Sequence, residues 1–303
     1  MENIITIKNF YKSFGSKKVI ENLSFEVKQG EIFAFLGANG SGKTTTIRCL
    51  LQIYKADKGE LLINNKIYSA KMSSMLGYLP EERGLYLNSN VLDTLIYFAQ
   101  LRGVDKKEAK KRGLEFLEKV GLIDKSNSKI SKLSSGQQQK IQLGITIINK
   151  PELLILDEPT KGLDPVNRKT FLEMFLDLNK AGSTIIFSTH QMEETEKIAD
   201  RLLMIKDGKK ALYGEVNKIK KQFGENIIHL EFKGKLPENE KLYSYKKETN
   251  YAELIPNINI TPKDILSFLL ETGLEINKFE LSSPSLNEIF IEVSNNIENL
   301  ENE

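Results

Sequence analysis

The segment Gly37-Ala38-Asn39-Gly40-Ser41-Gly42-Lys43-Thr44, followed by Thr45, has the residue types and the spacing of a phosphate-binding loop. Its glycines allow successive backbone N–H groups to turn toward a phosphate, and Lys43 adds a full positive charge. The hydroxyl of Thr44 is a ligand that Mg²⁺ accepts. The segment therefore predicts a site for a nucleotide and its metal ion.

The flanking sequence supplies the strand and the helix that such a loop requires. Residues 32–36 are apolar throughout and too few for a helix, which predicts a buried strand. Residues 45–51 contain no glycine or proline, and their apolar members fall on one helical face. A glycine-rich turn without a ligand is the alternative, but the complete set of loop residues argues against it.

Two acidic residues follow a second apolar segment. Residues 153–156 are uniformly apolar, as in a central parallel strand, and Asp157-Glu158-Pro159 comes directly after them. Because ligands of open parallel sheets bind beyond the carboxyl ends of the strands, we expect both acids near the phosphate loop. Asp157 could then hold Mg²⁺ through its water, and Glu158 could orient or deprotonate an attacking water.

Three further groups of polar or aromatic residues are candidates for the same site. His190 follows the strand predicted for 184–187, where an imidazole could hydrogen-bond a γ-phosphate. Leu133-Ser134-Ser135-Gly136-Gln137 precedes a predicted helix, and on its own it favours ordinary capping over anion binding. Phe14 could pack in a strand or stack on a purine, and the residues alone favour packing.

Length and composition limit the kind of protein that this chain can be. Its 303 residues suffice for about two domains, and 43 basic against 41 acidic residues leave no strong charge for nucleic-acid binding. The single cysteine, Cys49, is predicted to be a small buried hydrophobe rather than a redox group. No apolar run approaches the roughly 20 residues of a membrane span, so we expect a cytosolic chain unless a partner holds it at a membrane.

The pattern of apolar residues changes twice along the chain. From Val91 to about Gly121 it has helical period, which predicts a helical insertion. From Asn226 onward it predicts a small α+β domain, in which Thr261-Pro262-Lys263-Asp264 begins a helix and no catalytic motif occurs.

In their order along the chain, the motifs of residues 4–220 resemble the ATP-binding subunits of ABC transporters. The resemblance implies that Phe14 stacks on adenine, that the phosphate loop is Walker A and that residues 133–137 are the signature motif. Asp157 and Glu158 would then be Walker B and the catalytic glutamate. Asp164, in the D-loop Gly162-Leu163-Asp164, would contact nucleotide, and His190 would be the switch histidine.

The resemblance also implies a fold and partners. The expected fold is α/β, an ABC-type P-loop NTPase with a mixed sheet, an antiparallel β subdomain and a helical subdomain at about 86–150. We expect the ATP-binding domain to span 1–220 and an α+β accessory domain to span 221–303. Two such subunits would pair head to tail around ATP and Mg²⁺, and they would drive a separate membrane permease without binding nucleic acid.

Two residues depart from the usual pattern of the family. Ser135 stands where glycine is usual in the signature motif, and Glu81 stands where most members have the Q-loop glutamine. A carboxylate accepts hydrogen bonds and can ligate Mg²⁺, whereas an amide can also donate. The form of residues 80–86, together with residues 188–193 and the small appended domain ending in residues 284–290, resembles the bacterial sodium- and drug-efflux ATPases.

Two alternatives concern function. A soluble ABC-type ATPase acting on ribosomes or nucleic acid would commonly carry two nucleotide domains or zinc-binding cysteine pairs, whereas this chain has one phosphate loop and one cysteine. The C-terminal domain could be a regulatory ligand sensor or a brace for the dimer.

Overall fold

A computed structural model of the chain describes residues 2–82, 84–223, 227–257 and 259–301, and from 294 onward it describes the backbone alone. The chain divides into two compact units, Met1–Glu215 and Val216–Glu303. Each is described separately below.

Among the described residues of the first unit, nine strands form two sheets. In chain order they are β1 (Asn3–Phe14), β2 (Lys17–Lys28), β3 (Ile32–Leu36), β4 (Lys58–Ile63), β5 (Leu76–Leu79), β6 (Leu153–Asp157), β7 (Thr184–Thr189), β8 (Arg201–Lys206) and β9 (Lys209–Glu215).

The smaller sheet is antiparallel, in the order β2-β1-β4. Ile5 lies opposite Val27 and Ile7 opposite Phe25, and all four side chains are buried. Alternation of apolar and polar residues in a strand places the apolar ones on one face, which here forms part of the core. The predicted antiparallel β subdomain is confirmed.

The larger sheet has the order β5-β6-β7-β3-β8-β9, in which β9 alone runs antiparallel to its neighbour. Every residue of β3 and β6 is buried, and one face of β3 packs against the antiparallel sheet, where Phe25 contacts Phe33 and Phe35 with 5.7 Å between ring centroids. A strand that is buried on both faces has no polar side. The predicted mixed sheet is confirmed. Its strand order places the carboxyl ends of β6, β7 and β3 side by side.

Two helices of the first unit belong to the helical insertion. Helices α2 and α3 occupy the segment whose period is helical, and the carboxylate of Asp105 caps α3 by accepting from the Lys107 N–H at 2.9 Å. The α-helices among the described residues of this unit are α1 (Lys43–Leu50), α2 (Val91–Leu101), α3 (Lys106–Lys119), α4 (Ser135–Ile147), α5 (Pro165–Lys180) and α6 (Met192–Ile198).

The second unit is an α+β arrangement with its own core. Four strands in its described part form an antiparallel sheet in the order β11-β12-β10-β13, and helix α8 buries Ile265 and Leu269 with the sheet residues Leu230 and Phe232. Its elements are α7 (Val216–Gln222), β10 (Ile227–Lys233), β11 (Tyr243–Lys247), β12 (Tyr251–Pro256), α8 (Pro262–Glu271), β13 (Glu275–Ser282) and α9 (Leu286–Glu301).

Within the described ranges, no helix is both long enough and apolar enough to cross a bilayer.

Cys49 lies on α1 and is fully buried in the core of the first unit. Burial removes the stabilising water from the thiolate and raises the pKa of Cys49 to about 11. The interpretation of this residue as a buried hydrophobe agrees with its position.

We predict that the Cys49 thiol of the native protein does not react with an aromatic disulfide reagent at pH 8, because thiolate is the reactive form and the site is closed. The measurement is thiol release over one hour, and unfolding in urea should then expose one reactive thiol per chain. Complete reaction of the native protein within minutes would contradict the burial of this side chain.

Candidate functional site

The phosphate loop connects β3 to α1, and two of its glycines have conformations that exclude other residues. Gly37 has a φ of 154°, and a Cβ there would lie 2.5 Å from both the Ile205 carbonyl oxygen and Ser41 Oγ. Gly42, at the N-terminus of α1, has a φ of 110°. These constraints keep the backbone of the loop close to the helix end, where N–H groups can face a phosphate.

Lys43 is buried, and its ammonium lies between the loop and Glu158. Its Nζ donates to the carbonyl oxygens of Gly37 at 2.7 Å and Ala38 at 3.2 Å, and it lies 3.6 Å from Glu158 Oε1. Burial lowers the pKa of Lys43 below its ordinary value, while the charge of Glu158 opposes that shift. The site thus contains a desolvated cation next to the phosphate loop.

The carboxylate of Glu158 is held from two sides. His190 Nδ1 lies 2.9 Å from Glu158 Oε2, on the side opposite the contact with Lys43. The Glu158 backbone has a φ of 48°, a left-handed conformation that is unfavourable for a residue with a side chain, and its N–H donates to Ser188 Oγ at 3.0 Å. The structure therefore brings together the predicted catalytic pair.

Asp157 is completely buried beside Glu158 and retains an oxygen without a protein partner. Its Oδ1 accepts from Ser188 Oγ at 2.5 Å, whereas no hydrogen bond reaches Oδ2 among the described residues. Burial raises the pKa of Asp157, and its interactions with Ser188 and Thr44 oppose that shift. A buried carboxylate oxygen without a partner, close to the Thr44 hydroxyl, is the kind of donor set that fits Mg²⁺.

These groups open into a pocket of about 270 Å³. Its walls combine residues of the phosphate loop and α1 with side chains from the ends of β5 and β6. The lining includes Lys43, Thr44, Thr45, Glu81, Glu158 and Lys161.

Lys161 is a second cation at this pocket. Its Nζ lies 2.6 Å from Glu81 Oε1, and the interaction raises the pKa of Lys161. Nothing in the sequence indicates that Lys161 belongs to this site, because an isolated lysine in a turn is usually solvated.

Other predicted site residues lie outside the pocket. Ser134 and Gln137 form a capping box at the start of α4, each side chain bonding the backbone of the other residue, and Ser135 and Gly136 lie in the first turn. Asp164 caps α5 by accepting from the N–H groups of Val166 and Asn167, both at 3.0 Å.

Phe14 also lies outside the pocket, and it is only partly packed. Its side chain is 46% exposed at the end of β1, where it contacts Tyr54 edge-to-face with 5.4 Å between ring centroids. Lys12 Nζ lies 4.9 Å from the centroid of the Phe14 ring. The ring therefore has surface available for another flat group.

Ser188 and Glu194 are functional candidates that sequence reasoning missed. Ser188 is the register partner of Asp157 across β6 and β7. The one indication of its role in the sequence is its position two residues before His190. Glu194 is buried, accepts from Thr160 Oγ1 at 2.8 Å, and lies 3.4 Å from Arg168 Nε. This network connects the turn after Glu158 to α5 and α6.

Comparison with known proteins agrees with both units. Residues 20–161 match the family model described as ABC transporter. Residues 214–294 match the model described as ATP-binding protein DrrA1-3-like, C-terminal domain. The uncharacterized ABC transporter ATP-binding protein YhaQ of Bacillus subtilis (strain 168) is 38% identical over 293 residues, covering 95% of this chain and 98% of the relative.

The chain belongs to the ATP-binding proteins of ABC transporters. The Nod factor export ATP-binding protein I of Burkholderia orbicola (strain AU 1054) is 32% identical, with 82% of this chain and 83% of the relative covered. A solved ATP-binding subunit of an ABC transporter superposes with a TM-score of 0.68 at 27% identity, covering 73% of this chain and 93% of that one. The family resemblance and the ABC-type fold are confirmed.

Membership of this family makes the chain an ATP-binding ATPase, as predicted. ABC ATP-binding subunits dimerise and act with membrane permeases.

We predict that Ser188→Ala lowers both stability and ATP hydrolysis. The change deprives Asp157 Oδ1 and the Glu158 N–H of their hydroxyl partner, and leaving such buried groups unsatisfied costs about 1–3 kcal/mol. The measurements are urea unfolding and the steady-state rate of ATP hydrolysis.

The matched control is Ser183→Ala, next to the other end of the same strand, where the buried hydroxyl donates to the Pro151 carbonyl oxygen at 2.8 Å. This variant should also lose stability but should keep the wild-type rate per folded molecule. Equal rates in the two folded variants would show that Ser188 supports the fold alone.

Proposed function

We propose that this chain is the ATP-hydrolysing subunit of an exporter, in which ATP closes a pair of subunits and hydrolysis opens it to drive a separate permease. The observation that carries the proposal is the Glu158 carboxylate fixed between Lys43 and His190 at the edge of the phosphate pocket.

In the proposed mechanism, the loop N–H groups and Lys43 bind the phosphates. Thr44, Asp157 and Glu81 would hold Mg²⁺, which when bound neutralises charge on the phosphate oxygens. The Glu158 carboxylate accepts a proton from the attacking water or orients that water, and His190 keeps the carboxylate in place.

The signature segment supports a composite site. Ser134 and Ser135 are exposed, and a Cβ built on Gly136 would meet nothing closer than Leu163 Cδ2 at 3.8 Å within the described residues of this chain. Packing within the described part of this chain therefore does not explain why residue 136 is a glycine. We propose that this segment and Asp164 serve the nucleotide of a second subunit, where the open end of α4 would approach the γ-phosphate.

Exposed aromatic residues of the helical insertion support docking on a permease. Tyr86 and Tyr97 are each more than half exposed, and they line a pocket of about 410 Å³ with Asp93 and Thr94. An exposed apolar surface with a polar rim is typical of a protein interaction site. Through it the chain would lie at the cytoplasmic face of the membrane, and the named function of the Nod factor relative favours export.

We further propose a functional division at about residue 220, with residues 221–303 as an accessory domain. The separate core of the second unit supports this division. Removing the domain distinguishes its two possible roles. If the domain is a brace for the dimer, its removal weakens pairing of the subunits. If it is a ligand sensor, its removal leaves that pairing unchanged.

We predict that Glu158→Gln binds ATP normally and hydrolyses it at least about 100-fold more slowly, because an amide cannot accept the proton. With Mg²⁺ and ATP this variant should accumulate as a dimer, measured by light scattering after size exclusion. Lys43→Ala should instead weaken ATP binding about tenfold or more, because the phosphates lose a desolvated cation.

Hydrolysis by Glu158→Gln at the wild-type rate would contradict the assignment of the base. If Glu158→Gln binds ATP but remains monomeric, Glu158→Gln/Ser135→Gly tests whether Ser135 weakens the contact with the second subunit. If neither variant dimerises, pairing between copies of this chain is wrong.

We predict that Phe14→Ala weakens ATP binding about 5- to 150-fold, because stacking of a base on an aromatic ring contributes roughly 1–3 kcal/mol. Phe14→Tyr keeps the ring and should bind ATP like the wild type. The measurement is competition with a fluorescent nucleotide, and inorganic triphosphate, which has no base, should bind all three proteins equally. Unchanged ATP affinity in Phe14→Ala would contradict the adenine contact.

A further inference from the structure

Glu81 adds a carboxylate to a pocket whose lining already includes the carboxylate of Glu158. Among the described residues that line the pocket, Glu158 and Glu81 are acidic, whereas Lys43 and Lys161 are basic, and Asp157, buried beside Glu158, adds a third carboxylate to the site. The charge of Glu81 reaches the site, since it adds to the rise that burial causes in the pKa of Asp157 and opposes the fall that burial causes in the pKa of Lys43. An anionic nucleotide entering the pocket must therefore overcome additional negative charge.

Lys161 is placed to offset that charge. Its Nζ to Glu81 Oε1 distance of 2.6 Å is the length of a charge-assisted hydrogen bond, and both side chains line the pocket. Glu81 follows β5, and Lys161 lies in the turn after β6, so the pair connects the ends of two adjacent parallel strands.

The backbone ties Lys161 to the catalytic acid. The N–H of Lys161 donates to the carbonyl oxygen of Glu158 at 3.1 Å, which closes a turn from Glu158 to Lys161. The Glu158 side of this turn is fixed by Ser188. The ammonium therefore extends from a backbone whose position is set by the active site.

We propose that Lys161 is a positioning residue, which fixes Glu81 at the phosphate pocket and neutralises the charge that Glu81 adds there. The proposal rests on the proposed function of this pocket. Glu81 alone only accepts hydrogen bonds, whereas Glu81 and Lys161 together present an acceptor and a donor, which an amide at position 81 would present by itself.

The proposal makes an ordered prediction for three variants, because each changes the balance of charge at the pocket. Lys161→Met leaves one cation against three carboxylates. Glu81→Gln/Lys161→Met leaves one cation against two, which restores the wild-type difference. Glu81→Gln alone leaves two cations against two carboxylates.

The test is equilibrium binding of a fluorescent ADP in EDTA at low ionic strength, so that no metal ion contributes. Lys161→Met should bind ADP about tenfold more weakly than the wild type, since a charge next to the phosphates is lost. The double variant should return to within about twofold of the wild type, and Glu81→Gln should bind at least as tightly as the wild type.

The matched control is Lys233→Met in the second unit, where Lys233 Nζ forms an exposed ion pair with Glu275 Oε1 at 2.8 Å. This variant should bind ADP like the wild type. All variants should unfold at nearly the same urea concentration, because exposed ion pairs contribute little to stability. If a variant lost ADP affinity and stability in parallel, the contact between Glu81 and Lys161 would have a structural role only.

Equal affinities of Lys161→Met and the wild type would overturn the proposal, as would a loss that Glu81→Gln does not relieve. ATP hydrolysis by the wild type is measured in parallel. If the wild type hydrolyses ATP while the four affinities coincide, only the role of Lys161 fails. If the affinities follow the predicted order without hydrolysis, the role of Lys161 stands and the proposed function fails.

Discussion

The proposed nucleotide site is built around the buried carboxylate of Glu158 and the two groups that contact it, Lys43 and His190. Lys43 follows β3, Glu158 follows β6 and His190 follows β7, and these three strands are neighbours in the sheet. Their register pairs Asp157 with Ser188 and Leu36 with Thr189. Because parallel strands end at the same edge, the hydrogen bonding of the sheet alone brings together residues more than a hundred positions apart.

This arrangement of buried charges lowers the free energy of unfolding of the isolated chain. Buried charges lose hydration, and their mutual attraction restores that loss only when geometry and hydrogen bonding are good. Here Lys43 Nζ and Glu158 Oε1 are 3.6 Å apart, no described residue forms a hydrogen bond with Asp157 Oδ2, and Glu158 has a left-handed backbone. Such unfavourable features persist where the surrounding structure holds them in place, and here the fully buried strands hold them. A bound nucleotide with its metal would supply the partners that the protein leaves out.

The fold can be predicted from the sequence where the local pattern of apolar residues and the order of the strands lead to the same arrangement. Residues 32–36 and 153–156 form buried strands as their apolar composition predicts, so the motifs after them meet. Lys161 and Glu81 are 80 positions apart, and neither has a local pattern that indicates the other. Strand β11 was missed because four of its five residues are exposed and only Tyr243 is buried, which leaves no alternation to detect at the edge of a sheet.

The capping box of α4 limits what its N-terminus can offer a second nucleotide. The side chains of Ser134 and Gln137 are occupied with each other's backbone, so an incoming phosphate would meet free N–H groups of the first turn and the hydroxyl of Ser135. Serine at this position has less backbone freedom than glycine and favours the helical conformation by several tenths of a kcal/mol. If the segment acts across a dimer interface, Ser135 therefore provides a more rigid anion site, with an added donor in place of the closest backbone approach that glycine allows.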